Sequence, residues 1–211
     1  MTTKRRGRPR SFDRRAALEQ AMTAFWERGY ETTSVADLTR AMGISAPSLY
    51  AAFGDKRTLF EEVVEAYAVS YGAFGDQALA EEPTARGALA RMLGEAADAF
   101  TDPSHPRGCL VISSAINCAN PEVEKALRER RNRNLASFET RIRRGIAAGE
   151  LPGGTDAVAL ARFCGAVLQG LSQQARDGAT REELRAVAEV AMAAWPVASG
   201  RPREEPAGRG A

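Results

Sequence analysis

The sequence predicts an all-α protein of about nine helices, on three observations. Apolar residues recur at i, i+3, i+4 and i+7 through most stretches between Gly and Pro breaks. Ser, Thr, Asp or Asn stands just ahead of most of those stretches, and Gly or Pro just behind. No apolar–polar alternation runs longer than four residues, so no strand pattern competes.

The elements follow in order. Residues 13–28 place Leu18, Ala21, Met22 and Phe25 on one face, with Asp13 as N-cap and Gly29 just past the end. A short helix begins at Thr33 or Ser34, carries Val35, Leu38 and Met42, and stops before Gly43. Ser45 caps a third helix that runs to Phe53 ahead of Gly54. Asp55 caps a fourth, to about Tyr71, with Leu59, Phe60, Val63, Val64 and Tyr67 on its apolar side; Gly72 and Gly75 then break the pattern. Residues 84–101 carry Leu89, Met92, Leu93, Ala96 and Phe100, residues 103–107 form a turn, and residues 108–118 form a short apolar helix. Asn120 and Pro121, a cap and a first-turn proline, open the longest helix, to about Ala148. The last two helices cover 155–176 and 180–195; Thr180 and Glu183 make a capping box and Pro196 ends the run. The expected organisation is a basic disordered arm (1–11), a helix-turn-helix head (12–57), a larger helical effector and dimerisation domain (58–196) and a disordered tail rich in Gly, Pro and charge (197–211).

Composition narrows the function. With 211 residues, 44% hydrophobic and 27% charged, the chain is of ordinary globular make-up. No apolar run approaches the roughly eighteen residues that span a bilayer, so no membrane partner is expected. The N-terminus is basic without an apolar stretch behind it, which predicts no secretory signal and a cytoplasmic address. Cys109, Cys118 and Cys164, odd in number and widely spaced, predict free thiols in a reducing compartment. The single histidine, His105, argues against zinc hydrolases and Ser-His-Asp relays. His105, Cys109 and Cys118 fit no familiar zinc spacing and lack a fourth ligand, so no metal is expected. There is also no phosphate-binding glycine loop, so neither a cofactor nor an enzyme is expected.

The net charge of +2 conceals an asymmetry. Residues 1–57 hold eleven Lys/Arg against six Asp/Glu, and residues 58–211 hold eighteen against twenty-one. A basic head on a slightly acidic body is the pattern of a chain whose N-terminal part meets a polyanion; a solvated arm without a partner is the plainer alternative.

The informative stretch is 33–53. Two short helices are separated by Gly43, Ile44 and Ser45: a residue without a Cβ where the chain reverses, a hydrophobic anchor, then a cap. Leu38, Met42, Ile44, Leu49 and Ala52 lie where two crossing helices would touch. The second helix would enter the major groove with its N-terminal turn against base edges, its free amides offering a phosphate site. An ordinary αα-corner is the alternative. Against it, the motif lies directly behind the basic arm, a preceding helix can complete a three-helix core, and the start of the second helix is small and polar. That helix, Ser45 to Phe53, contains no Arg, Lys, Asn or Gln, so bidentate reading of guanine or adenine is unavailable to it. Specificity is expected elsewhere, above all from Arg6, Arg8 and Arg10. The run Arg6-Gly7-Arg8-Pro9-Arg10 is the core of an AT-hook, which can lie in a narrow minor groove; a non-specific phosphate arm is the other reading.

Phe25, Arg28-Gly29-Tyr30, Thr32-Thr33-Ser34-Val35, Gly43-Ile44-Ser45, Ser48-Leu49-Tyr50, Phe53, Lys56 and Leu59-Phe60 together resemble the N-terminal domain of TetR-type transcriptional repressors. The match runs almost without gaps over 12–60, and the later helices agree with that family in number and order. By position, the resemblance implies that Thr33, Tyr50 and Lys56 contact phosphates, that Ser45, Ala46, Pro47 and Ser48 face the groove, and that Leu49 and Phe53 are core. Thr39 departs from the alanine common at its position; it fits if its hydroxyl bonds back to a helix carbonyl.

The resemblance further implies a homodimeric repressor on a double-stranded, pseudopalindromic operator, released by a small, largely apolar effector. Candidate pocket residues are Met92, Phe100, Cys109, Ile116, Phe138, Ile142 and Phe163. The last two helices are the dimerisation candidates, through Ala161, Gly165, Leu168, Leu184, Ala188, Ala191 and Trp195, as a four-helix bundle across a twofold axis. Two alternatives stay open. Cys109 occupies a position similar to the reactive cysteine of some electrophile-responsive members, with Arg107 nearby to favour a thiolate. An architectural protein would use the arm and read AT-rich shape alone.

Overall fold

The computed structural model describes residues 12–115 and 118–197. Arg6, Arg8, Arg10 and Ile116 lie outside the described residues, as does the tail from residue 198. Within the described residues the chain forms ten helices and no strand: α1 (Arg14–Arg28), α2 (Val35–Met42), α3 (Ala46–Phe53), α4 (Lys56–Val69), α5 (Phe74–Glu81), α6 (Ala85–Thr101), α7 (Leu110–Ser113), α8 (Pro121–Ala147), α9 (Ala157–Arg176) and α10 (Arg181–Ala193).

Local chemistry sets most boundaries. Asp13, Ser34, Ser45, Asp55, Thr84, Asn120, Asp156 and Thr180 each accept a backbone N–H at the start of a helix. Two departures from the sequence reading have tertiary causes. Residues 74–81, read as a break around Gly75, form α5; no side chain caps it, and it is held by packing, with Phe74 edge-on to Phe100 at 6.1 Å. The helix expected over 108–118 shrinks to one turn, α7, because Gly108 takes a positive φ of 78° and Cys109 is extended, its N–H donating to Ser172 Oγ at 2.8 Å.

Two hydrophobic clusters organise the molecule. One surrounds α6, whose Leu89, Met92 and Leu93 are fully buried among residues of α5, α8, α9 and α10. The other joins α1 to α4 with Leu110 and Val111 of α7 and Val123 and Leu127 of α8. Leu59, Phe60 and Val63 belong to this second cluster, so a division between 57 and 58 falls inside continuous packing. The clusters meet at Gly108. The Trp26 indole N–H donates to the Gly108 carbonyl at 3.1 Å, and Gly108 N–H donates to the Phe100 carbonyl at 3.0 Å. Arg176 of α9 donates to the carbonyls of Trp26 and Glu27 at the end of α1, at 3.2 and 3.1 Å.

Gly108→Ala would force an L side chain into a positive φ and set its Cβ 2.7 Å from the Ser172 carbonyl oxygen. The expected cost is about 1–3 kcal/mol, read as a lower midpoint in denaturant unfolding. Asp37 yields a pH prediction. The Ser34 hydroxyl and N–H donate to its carboxylate, with Arg40 and Arg28 adding charge, and they hold its pKa below the usual range. A depressed folded-state pKa contributes stability that is complete above the unfolded value, about 3.9, and is lost as pH falls through the folded value. Asp37→Asn is therefore less stable than the parent at neutral pH, and thermal melts below about pH 4 show that deficit shrinking.

Candidate nucleic-acid interface

The reversal between α2 and α3 is built on Gly43, which sits in the left-handed region at φ 65°, ψ 27°. The next N–H, of Ile44, reaches back to the Thr39 carbonyl at 3.1 Å. Thr39 keeps a helical place by donating its hydroxyl to the Ala36 carbonyl at 3.0 Å, the back-bond that lets it stand in for alanine. Leu38, Met42, Leu49 and Phe53 are buried and fix α3 against α1, α2 and α4.

The outward face of α3 carries the residues expected at the groove. Ser45, Pro47 and Tyr50 are exposed, Tyr50 to 51%, and Ala46 and Ser48 are half-exposed. Ser45 Oγ accepts the Ser48 N–H at 3.3 Å and lies 2.8 Å from Ser48 Oγ. No acidic side chain stands in the first turn, so nothing there opposes a phosphate at the helix N-terminus. Lys56 opens α4 with its ammonium 4.2 Å from the centre of the Tyr30 ring, and partial burial lowers its pKa. Thr33 needs correction as a phosphate ligand. Its side chain is fully buried, and the hydroxyl donates to the Gly29 carbonyl at 2.7 Å, which leaves it no free donor.

Behind the head lies a small cavity, about 80 Å³, bounded by α4 to α9. Met92, Phe100, Cys109 and Phe138 line it. Two other expected lining residues do not: Ile142 is packed in the core one turn further along α8, and Phe163 is 39% exposed on the outer face of α9. Cys109 does not sit as a thiolate stabilised by Arg107. That arginine donates to the Ala175 and Ala179 carbonyls at the end of α9, and burial pushes the Cys109 thiol up. Cys164, also buried, is pushed up to about 12.

The expected dimer residues lie mostly inside the chain. Ala161, Gly165, Leu184, Ala188, Ala191 and Trp195 are buried within the chain, against α6 and α8, and Leu168 lines the cavity. The apolar residues that α9 and α10 leave outside are Val158, Phe163, Val187 and Val190, the last 73% exposed.

Sequence reasoning missed the Trp26–Gly108–Arg176 join, for which no local pattern exists. It also missed Arg130 and Arg131 on the cavity wall. Arg131 stands four residues after Leu127 and four before Leu135, a charge set into an apolar stripe, and that spacing was the available signal.

Among the described residues no group of three or more His, Cys, Asp or Glu could hold a metal, and no helix is long and apolar enough to cross a membrane. Comparison with known proteins agrees with the geometry. The pattern of "Bacterial regulatory proteins, tetR family" matches residues 17–63, and that of "Tetracyclin repressor-like, C-terminal domain" matches 85–191. The HTH-type transcriptional repressor ComR of Escherichia coli K12 is 37% identical over 196 residues, covering 92% of this chain and 93% of ComR. The repressor BdcR of the same organism is 32% identical over 185 residues, covering 88% and 90%. Among solved structures, a cysteine mutant of the TetR family regulator CifR, complexed with 26-bp operator DNA, superposes with a TM-score of 0.85 at 47% identity, covering 90% of this chain and all of that one. The chain belongs to the TetR family of bacterial regulatory proteins, DNA-binding transcription regulators rather than enzymes.

Proposed function

We propose that the protein is a cytoplasmic homodimeric repressor that grips a pseudopalindromic operator through α3 and lets go when a small effector enters the cavity. The observation that carries this reading is the two-sidedness of α3: Leu49 and Phe53 are locked inside while Ser45, Pro47 and Tyr50 stand free. The operator-bound CifR structure supports the DNA partner. Val158, Phe163, Val187 and Val190, exposed on neighbouring helices, support self-association through α9 and α10. The cavity supports an effector with a compact apolar body. It reaches the head through Tyr67, which lines the cavity and lies edge-on to Trp26 at 4.9 Å. An electrophile-sensing role for Cys109 is less well supported: Arg107 is committed to backbone carbonyls and burial raises the thiol's pKa, with Arg130 opposing that only in part.

A nuclease footprint on genomic fragments tests the reading. A bounded footprint of two half-sites about 34 Å apart is expected; uniform coating of AT-rich DNA would instead establish the architectural alternative. Removal of residues 1–10 should weaken operator binding and lower the slope of log affinity against log salt by several units. Phe163→Glu combined with Val190→Glu should sediment as a folded monomer and lose most operator affinity.

A further inference from the structure

The cavity is not uniformly apolar. Phe74, Met92, Phe100 and Phe138 supply apolar wall, and against it stand Asn134, Gln169 and, side by side on α8, Arg130 and Arg131. The Arg131 Nη1 is buried and has no hydrogen-bond partner among the described residues, and no carboxylate there lies within ion-pair distance of this side chain. Partial burial lowers its pKa, with the neighbouring Arg128 charge acting the same way and Glu124 opposing it. Arg130 has one distant neighbour, Glu65 at 3.9 Å, whose side chain is largely in solvent. Asp76 is the only carboxylate on the lining, and it pairs with neither arginine.

Another arginine on α8, Arg141, shows what a structural role looks like. Arg141 is more deeply buried than Arg131, and it donates to the Glu82 carbonyl at 3.1 Å, joining α8 to the end of α5. Arg131 holds nothing of that kind. An unpartnered guanidinium in an apolar wall costs stability, and that cost is offset when a complementary group arrives. With Glu65 beside Arg130, the unmatched donor on the wall is the buried Arg131 Nη1, which suits a single anionic group. The planar fork of Arg suits a carboxylate, which it can engage through two parallel hydrogen bonds.

We propose that the effector is an amphipathic monocarboxylate: a compact apolar body against the aromatic wall, its carboxylate anchored by Arg131 with Arg130 alongside. The inference rests on the cavity being the effector site, and it replaces an effector recognised by apolar contact alone with one selected by charge.

Octanoate and octanol share a body and differ in charge at neutral pH. Titration calorimetry of the full-length protein with each is the test. Octanoate should bind at least about tenfold more tightly, the least that a charge-assisted hydrogen bond in a desolvated site supplies. Arg131→Met should erase that preference while octanol affinity stays within about threefold, and ligand-free Arg131→Met should melt no lower than the parent, since it discards an uncompensated charge. Arg131→Lys should retain part of the preference, which separates loss of the anchor from general damage to the cavity. Equal binding of the two compounds, binding of neither, or a preference that survives in Arg131→Met would overturn the proposal. Operator affinity measured on the same samples separates the two levels. If octanol releases DNA as well as octanoate, the carboxylate anchor is wrong and the effector site stands. If octanoate binds with the expected preference yet leaves operator affinity unchanged, the anchor stands and the effector reading fails.

Discussion

The molecule turns on one buried hydrogen bond, from the Trp26 indole to the Gly108 carbonyl. A buried N–H without an acceptor is costly, so wherever the Gly108 carbonyl points, α1 must follow. Its direction is set by the positive φ at Gly108 and by the neighbouring N–H groups, which donate to Phe100 of α6 and Ser172 of α9. Arg176 adds a charged donor to the carbonyls of Trp26 and Glu27, where the helix dipole of α1 is negative. The DNA-binding head is therefore oriented by the two helices that form the heart of the body, and its aim is a property of the whole chain.

This rigidity bears on the proposed reading of DNA by α3, which has no Arg, Lys, Asn or Gln. A reader relying on hydroxyls, a phenol and backbone amides depends on backbone placement more than one with long flexible arginines. The support is correspondingly dense. Arg14 forms a two-point ion pair with Glu62 of α4, at 2.6 and 2.7 Å, while its guanidinium lies 4.5 Å from the centre of the Phe53 ring. Exposed ion pairs contribute little stability. Here the pair fixes geometry: one side chain ties α1 to α4 over the last core residue of α3. Phe12 lies at the same place, 6.4 Å from Phe53.

Helices whose signals are local were legible in the sequence. Ser34, Ser45, Asp55, Thr84, Asn120 and Thr180 announced their helices because a cap acts within a few residues of itself. α5 was hidden because it has no cap and exists by leaning Phe74 on Phe100. At the site, the two-sidedness of α3 followed from Gly43, Leu49 and Phe53, but Thr33 did not, since a motif gives a position and says nothing of where a hydroxyl turns. The stripes on α9 and α10 misled for a related reason. Periodicity reports which face is buried and is silent on what buries it, so Leu184, Ala188 and Trp195 pack inside their own chain while Val190 stands outside. Arg131 was passed over because a charge reads as a solvated face unless its apolar neighbours at i±4 are weighed with it.

The proposed release by an effector needs an element that touches both cavity and α3, and α4 meets that need. Its 14 residues make a rod of about 21 Å at 1.5 Å per residue, with Lys56 beside the end of α3 and Tyr67 on the cavity. Tyr67 is nearly enclosed, between Trp26 at 4.9 Å and Tyr71 at 6.3 Å, so a ligand that displaces its ring must move either the rod or α1. Both belong to the cluster that buries Leu49 and Phe53, and close-packed interiors resist gradual deformation. A ligand can shift operator affinity only by its differential affinity for the two arrangements; each tenfold of that difference is about 1.4 kcal/mol. Apolar contact is poorly suited to supply it, because a compact body finds similar apolar surface before and after a small rotation. The proposed charge pair at Arg131 changes steeply with distance and angle, and would supply that difference where apolar packing does not.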